Sequence, residues 1–114
     1  MHKLYGPIGR VNNKDVFLTM HARMNLRKYR IKQSNVLNAL SSPNEVFIDR
    51  TSKPRIKGFK RKCYVKRYNK RYLIIVTEED NMVIIVTSFN IHDEKKYQRH
   101  RQNKISKGEW VPID

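Results

Sequence analysis

The segment "TMHARMNLRKYRI", Thr19 to Ile31, sets one histidine among basic residues. Histidine titrates near neutral pH, so it can take or give a proton during a reaction. Around it, Leu18, Ala22, Leu26 and Tyr29 recur at spacings of four, four and three, one stripe of an α-helix that Thr19 would cap. At about 100° per residue, Phe17, Met20 and Met24 form a second apolar strip, and His21, Asn25 and Lys28 fall between the two. Arg23, Arg27 and Arg30 then face solvent. His2, His92 and His100 stand in terminal or loop-like contexts. His21 is therefore the principal candidate for chemistry, against the plainer reading of a partly buried ring on an amphipathic helix.

Other chemistries find little support. No His, Cys, Asp or Glu cluster has metal-ligand spacing, so no metal is expected. A two-metal nuclease needs several converging carboxylates, and three of the ten acidic residues, Glu78, Glu79 and Asp80, read as a solvated hairpin tip. The four glycines form neither a phosphate loop nor a dinucleotide fingerprint, so no cofactor is expected. Cys63 is alone, which rules out a disulfide framework and suits a reducing compartment.

The charge points to a polyanion. The 114 residues carry a formal net charge of +15, an imbalance that repels itself on folding and so implies an acidic partner, nucleic acid first. From residue 53 to 71 the chain reads "KPRIKGFKRKCYVKRYNKR", without one acidic residue. Lys57, Lys60, Arg61, Lys62, Lys70 and Arg71 would neutralise phosphates, as would Lys28. Tyr64 and Tyr68 offer faces for unpaired bases, or simply fill half-buried strand positions. What remains is metal-free RNA cleavage, in which a 2′-hydroxyl attacks the adjacent phosphorus. A histidine serves as base or acid, cations stabilise the phosphorane charge, and a hydroxyl orients the phosphate.

The elements that must position these groups follow from patterning. Residues 1–16 read as a flexible arm or short strand. After the first helix, "SNVLNAL" predicts a second, capped by Ser34 and stopped by Pro43. "EVFID", "CYVKRY", "RYLIIVT" and "MVIIVTSF" read as strands joined by tight turns. The last two are apolar on both faces, as in strands covered on each side or packed in an interface, which leaves a homodimer open. Residues 93–114 form a polar basic tail with at most a surface helix. The expected fold is one α+β domain spanning residues 1–114, with two N-terminal helices packed on a roughly four-stranded antiparallel sheet.

The succession "HARMNLRKYRIKQSNVLNALSSPNEVFID … CYVKRYNKRYLIIVTEEDNMVIIVTSF" resembles the barnase–EndoU–colicin–RelE group of small RNases, nearest its compact phage and polymorphic-toxin members. The resemblance covers residues 18–89. It implies that His21 is the catalytic histidine, that Lys66 or Arg67 is the basic residue of the middle strands, and that Thr87 or Ser88 is the hydroxyl of the last strand. Relatives often place an arginine where this chain has Asn25.

The expectation is a cytoplasmic, metal-independent endoribonuclease of toxin or effector type that acts on tRNA or mRNA, with a cognate antitoxin or immunity protein as a further partner. The alternative is a non-catalytic nucleic-acid-binding protein using the same basic face. A third reading is a protein whose positive surface meets an acidic partner. No membrane association is expected: the longest apolar runs, "YLIIV" and "MVIIV", are far too short to span a bilayer.

Overall fold

Two strands that are apolar on both faces need cover on both faces, and one chain supplies it all. In the computed structural model, which describes residues 3–113, these strands are β5 (Arg71–Glu79) and β6 (Val83–Ile91). They pair antiparallel at the centre of the sheet. On one face Leu73, Ile75, Val83 and Ile85 meet Ala22 and Leu26 of α1 (Met20–Lys28) and Val36, Ala39 and Leu40 of α2 (Gln33–Ser41). On the other, Ile74, Val76, Ile84 and Val86 meet Tyr97 of α3 (Glu94–Ser106) and Trp110 of β7 (Trp110–Pro112). The central strands are thus covered on both faces within one chain.

The expected two-helix, four-strand arrangement is corrected. The sheet is mixed, with seven strands in the order β1-β2-β6-β5-β4-β3-β7 and three helices, though the fold is α+β overall. Two regions make the difference. Residues 1–16 were expected to be an arm or a short strand, but β1 (Tyr5–Val11) and β2 (Lys14–Leu18) form a hairpin. Its turn is Asn12-Asn13, with φ of 52° and 65°. Asparagine tolerates this left-handed conformation, and two such residues in succession give the turn that suits twisted strands. β2 then runs parallel to β6, the sheet's single parallel pair.

The polar tail is the second difference. α3 has few apolar residues, so no stripe marks it in the sequence. It docks by Tyr97, which is 1% exposed and stacks on Tyr72 at 3.9 Å between ring centres. The Tyr97 hydroxyl donates to Glu45 (2.5 Å), and Arg101 donates to both oxygens of the same carboxylate (2.9 and 3.1 Å). One buried aromatic with a satisfied hydroxyl and a forked arginine fix a helix that is otherwise polar. β7 closes the sheet by pairing with β3 (Glu45–Asp49), where Trp110 stacks on Phe47 at 4.7 Å. Beyond β3 the chain returns as β4 (Lys60–Tyr68), antiparallel to both β3 and β5.

Local caps also differ. Thr19 caps α1, but α2 begins at Gln33 with Lys32 in the cap position, two residues before the expected cap Ser34, which lies inside the helix. Glu78 and Glu79 are not at a solvated tip. β5 runs through both of them, and they are 1% and 7% exposed.

Candidate functional site: the His21 cleft

The site begins with one extra residue in β6. Val76 lies opposite Thr87 and Thr77 opposite Ile85, so Val86 bulges from the ladder. Bulges leave a backbone group unpaired and bend the strand locally. Thr19 takes up both consequences. Its backbone N–H donates to the Ile85 carbonyl (3.0 Å), its hydroxyl donates to the Val86 carbonyl (3.3 Å), and its hydroxyl oxygen accepts from the Ala22 N–H (3.1 Å). The N-terminus of α1 is therefore clamped to the bulge, and His21 leaves the helix in its first turn.

One turn later, Asn25 joins the histidine to the bulged strand. Its amide nitrogen donates to Thr87 Oγ1 (2.9 Å) and faces His21 Nε2 at 3.3 Å. With the NH₂ group donating, Nε2 is an acceptor and the neutral ring carries its proton on Nδ1. The three residues His21, Asn25 and Thr87 thus form one connected unit.

A cleft of about 340 Å³ opens beside this unit, lined by Lys3, Thr19, Met20, His21, Met24 and Arg55. Among the described residues, none of its lining side chains is acidic. The helix N-terminus adds the positive end of its dipole, and such an end with two fixed cations is a ready anion site. Lys3 and Arg23 also flank the Tyr5 ring, at 5.2 and 4.4 Å from its centre.

Arg55 arrives from the loop formed by residues 50–59, and a buried ion network sets its position. Glu78 Oε1 accepts from the backbone N–H groups of Arg55 (2.8 Å) and Ile56 (3.4 Å). Arg61 bridges Glu78 (3.2 Å) and Asp49 (3.4 Å). Asp49 in turn accepts from the Thr51 N–H (2.9 Å) and hydroxyl (2.5 Å). Carboxylates this buried need such partners, and here they come from Arg61 and from the start and middle of the loop, at Thr51 and at Arg55 and Ile56.

The remaining expected site residues lie elsewhere. Lys66 donates to the Ser42 carbonyl at the end of α2 (2.6 Å). Arg67 donates to the Asn69 carbonyl (3.1 Å) and sits over Tyr72 at 5.9 Å. Neither lines the His21 cleft. Ser88 is fully buried and its hydroxyl has no partner. Lys28, two turns from His21 or about 10 Å along the axis, lies 5.3 Å from the centre of the Tyr29 ring. Arg61 is committed to the ion network, and Lys62 lies 3.8 Å from Glu79. Lys57, Lys60, Lys70 and Arg71 are exposed.

The tyrosines turn inward. Tyr64 donates to Glu79 (2.6 Å), and Tyr68 donates to Asn35 and Asn38 of α2 (3.0 Å each). Both rings pack against the core. Burial, then the bond to Glu79, pushes the Tyr64 hydroxyl above its ordinary range and keeps it a neutral donor. His100 sits between Phe89 and Trp110, and burial followed by Lys104 lowers its pKa from the usual value. His2 lies outside the described residues.

The sequence reading did not single out Lys3, Arg55, or the Asp49–Arg61–Glu78 network. Nothing in local patterning marks which of 25 basic residues a long loop will carry to a distant helix end. Among the described residues, no group of three or more His, Cys, Asp or Glu side chains could hold a metal ion, and no helix is long and apolar enough to cross a membrane. No family model matches the chain, and comparison with curated proteins and with solved structures gave no significant match.

Proposed function

We propose that the protein is a metal-independent endoribonuclease acting at the His21 cleft. The observation that carries this reading is the convergence of His21, Lys3 and Arg55 at the capped N-terminus of α1, with Asn25 and Thr87 behind the ring. The resemblance of residues 18–89 to the barnase–EndoU–colicin–RelE group supports it. The phosphate-holding cations are then Lys3 and Arg55, while Thr87 acts through Asn25.

The chemistry follows from the Asn25 amide. Rotated end for end, it presents Oδ1 to both Nε2–H of His21 and the Thr87 hydroxyl, which then donates. Nδ1 is thereby freed toward the cleft. It takes the 2′-hydroxyl proton as the 2′-oxygen bonds to phosphorus. The imidazolium returns that proton to the 5′-oxygen as the P–O5′ bond breaks, leaving a 2′,3′-cyclic phosphate. Lys3, Arg55 and the helix end stabilise the charge on the phosphorane.

The test is incubation of purified protein with RNA in EDTA. The expected result is cleavage with 2′,3′-cyclic phosphate ends, lowered about 10²- to 10⁴-fold in His21→Ala. A second reading, RNA binding without cleavage, has one observation in its favour. As oriented, the outward nitrogen of His21 is a donor. RNA left intact by excess protein, with binding retained, selects that reading.

A further inference from the structure

The loop of residues 50–59 borders two openings. Arg55 lines the His21 cleft, while residues 50–54 and Phe59 line a larger cavity of about 690 Å³ against β3 and the start of β4. This second cavity has apolar walls. Ile48 and Ile113, which are 39% and 40% exposed, face it together with the half-buried Phe59. Exposed branched side chains that share one concave surface mark an interaction site, whereas single ones scattered over a surface do not.

Its charge says what the occupant carries. Arg50, Lys53 and Lys60 line the opening and are exposed. Among the described residues, Asp49 is the one acidic residue that lines it, and its carboxylate is held by Thr51 and Arg61. Arg61 lines the same cavity, and its Nε–H is buried without an acceptor. A buried donor left unpaired costs free energy, which an acceptor arriving on a ligand recovers.

We propose that this cavity takes one unpaired nucleotide of a single-stranded RNA, its base against Ile48, Phe59 and Ile113 and its phosphates on Arg50, Lys53 and Lys60. The base presents a carbonyl or ring-nitrogen acceptor to Arg61. The strand then crosses the loop at Lys53 and Arg55 and delivers a neighbouring phosphate to His21. The inference rests on the proposed RNA chemistry and adds its substrate class: single strands, selected by a base held away from the cut.

The experiment measures binding by fluorescence anisotropy, with the full chain carrying His21→Ala to prevent turnover. Three probes are compared: a single-stranded RNA, the same strand with abasic sites and therefore the same phosphates, and the duplex. The intact single strand is expected to bind about tenfold more tightly than either of the others, as for one stacked base. The added pair Ile48→Gln and Ile113→Gln is expected to abolish that preference while leaving the residual, salt-sensitive binding and the thermal midpoint in place. Equal binding of the intact and abasic strands overturns the pocket, as does a preference that survives the pair, while cleavage at His21 stands. Absence of binding to all three probes overturns both the pocket and the ribonuclease reading. Poly-glutamate binding as tightly as RNA, with the same dependence on Ile48 and Ile113, assigns the cavity to an acidic protein segment and overturns the nucleotide.

Discussion

Two groups of charged residues meet at the loop of residues 50–59, and they have opposite fates. Asp49, Arg61 and Glu78 are buried and mutually paired, and they spend their charge on the loop's backbone. Lys3, His21 and Arg55 line an open cleft with no acidic side chain among its described lining residues. The difference is one of burial. A charge taken out of water must be compensated within the chain, whereas a charge at an open cleft stays available to a ligand. The first group shapes the second, because Glu78 fixes the backbone from which Arg55 reaches the cleft.

Removing a partner from the closed group is expected to have the largest effect. Glu78→Ala takes one of the two carboxylates from the buried Arg61, leaving it Asp49 alone, and frees the loop. A loss of about 3–5 kcal/mol in urea unfolding is expected, together with lower cleavage as Arg55 loses its anchor. Stability unchanged by this substitution would dissolve the distinction between the two groups.

The open group predicts the reverse. Arg55→Ala keeps the backbone bonds to Glu78, so stability should change by less than about 0.5 kcal/mol. Cleavage should fall about tenfold, and the dependence of RNA affinity on salt should lose about one unit of slope. A drop in stability without a change in slope would move Arg55 into the structural group.

The two adjacent hydroxyls of β6 sharpen the contrast further. Ser88→Ala removes a buried hydroxyl that has no partner. It should leave cleavage intact and raise stability by up to about 1 kcal/mol. Thr87→Val cuts the tie to Asn25 and should lower cleavage while leaving RNA affinity nearly unchanged. Equal losses in both variants would mean that the whole strand, and not the Thr87–Asn25–His21 unit, is what matters.

The smallest effect concerns His100, which packs between Phe89 and Trp110. His100 has its folded pKa depressed by burial first and then by Lys104, so the unfolded chain binds the proton more readily. Its stabilising share is complete above the unfolded value of about 6.5 and is lost as the pH falls from there toward the folded pKa. His100→Leu should flatten the fall of the thermal midpoint over that acid window. An unchanged acid slope in His100→Leu would remove His100 from the buried, structural class.

Much of the scaffold around the site was legible from local pattern. The stripe through Leu18, Ala22, Leu26 and Tyr29 and the cap at Thr19 gave α1, and the position of His21 beside Asn25 followed from helix geometry alone. The strands over "RYLIIV" and "MVIIV" announced themselves as doubly apolar. The hairpin at the N-terminus carried a weaker signal, the Asn12-Asn13 pair, which reads as a turn only when strands on both sides are granted. α3 gave almost none, because its docking rests on Tyr97 and on a salt bridge to Glu45, 56 residues away in sequence from Arg101.

The sequence by itself determined the kind of surface this protein has and the helix that carries its histidine. Charge and short-range periodicity are local or additive properties, and a single chain states them directly. Tertiary structure decided which of the many cations meet His21. That outcome depends on a one-residue bulge in β6, on two carboxylates of β3 and β5 buried under a loop, and on a loop whose residues before Phe59 are all exposed. Each is a long-range pairing, and its energy appears only when segments distant in sequence are desolvated together.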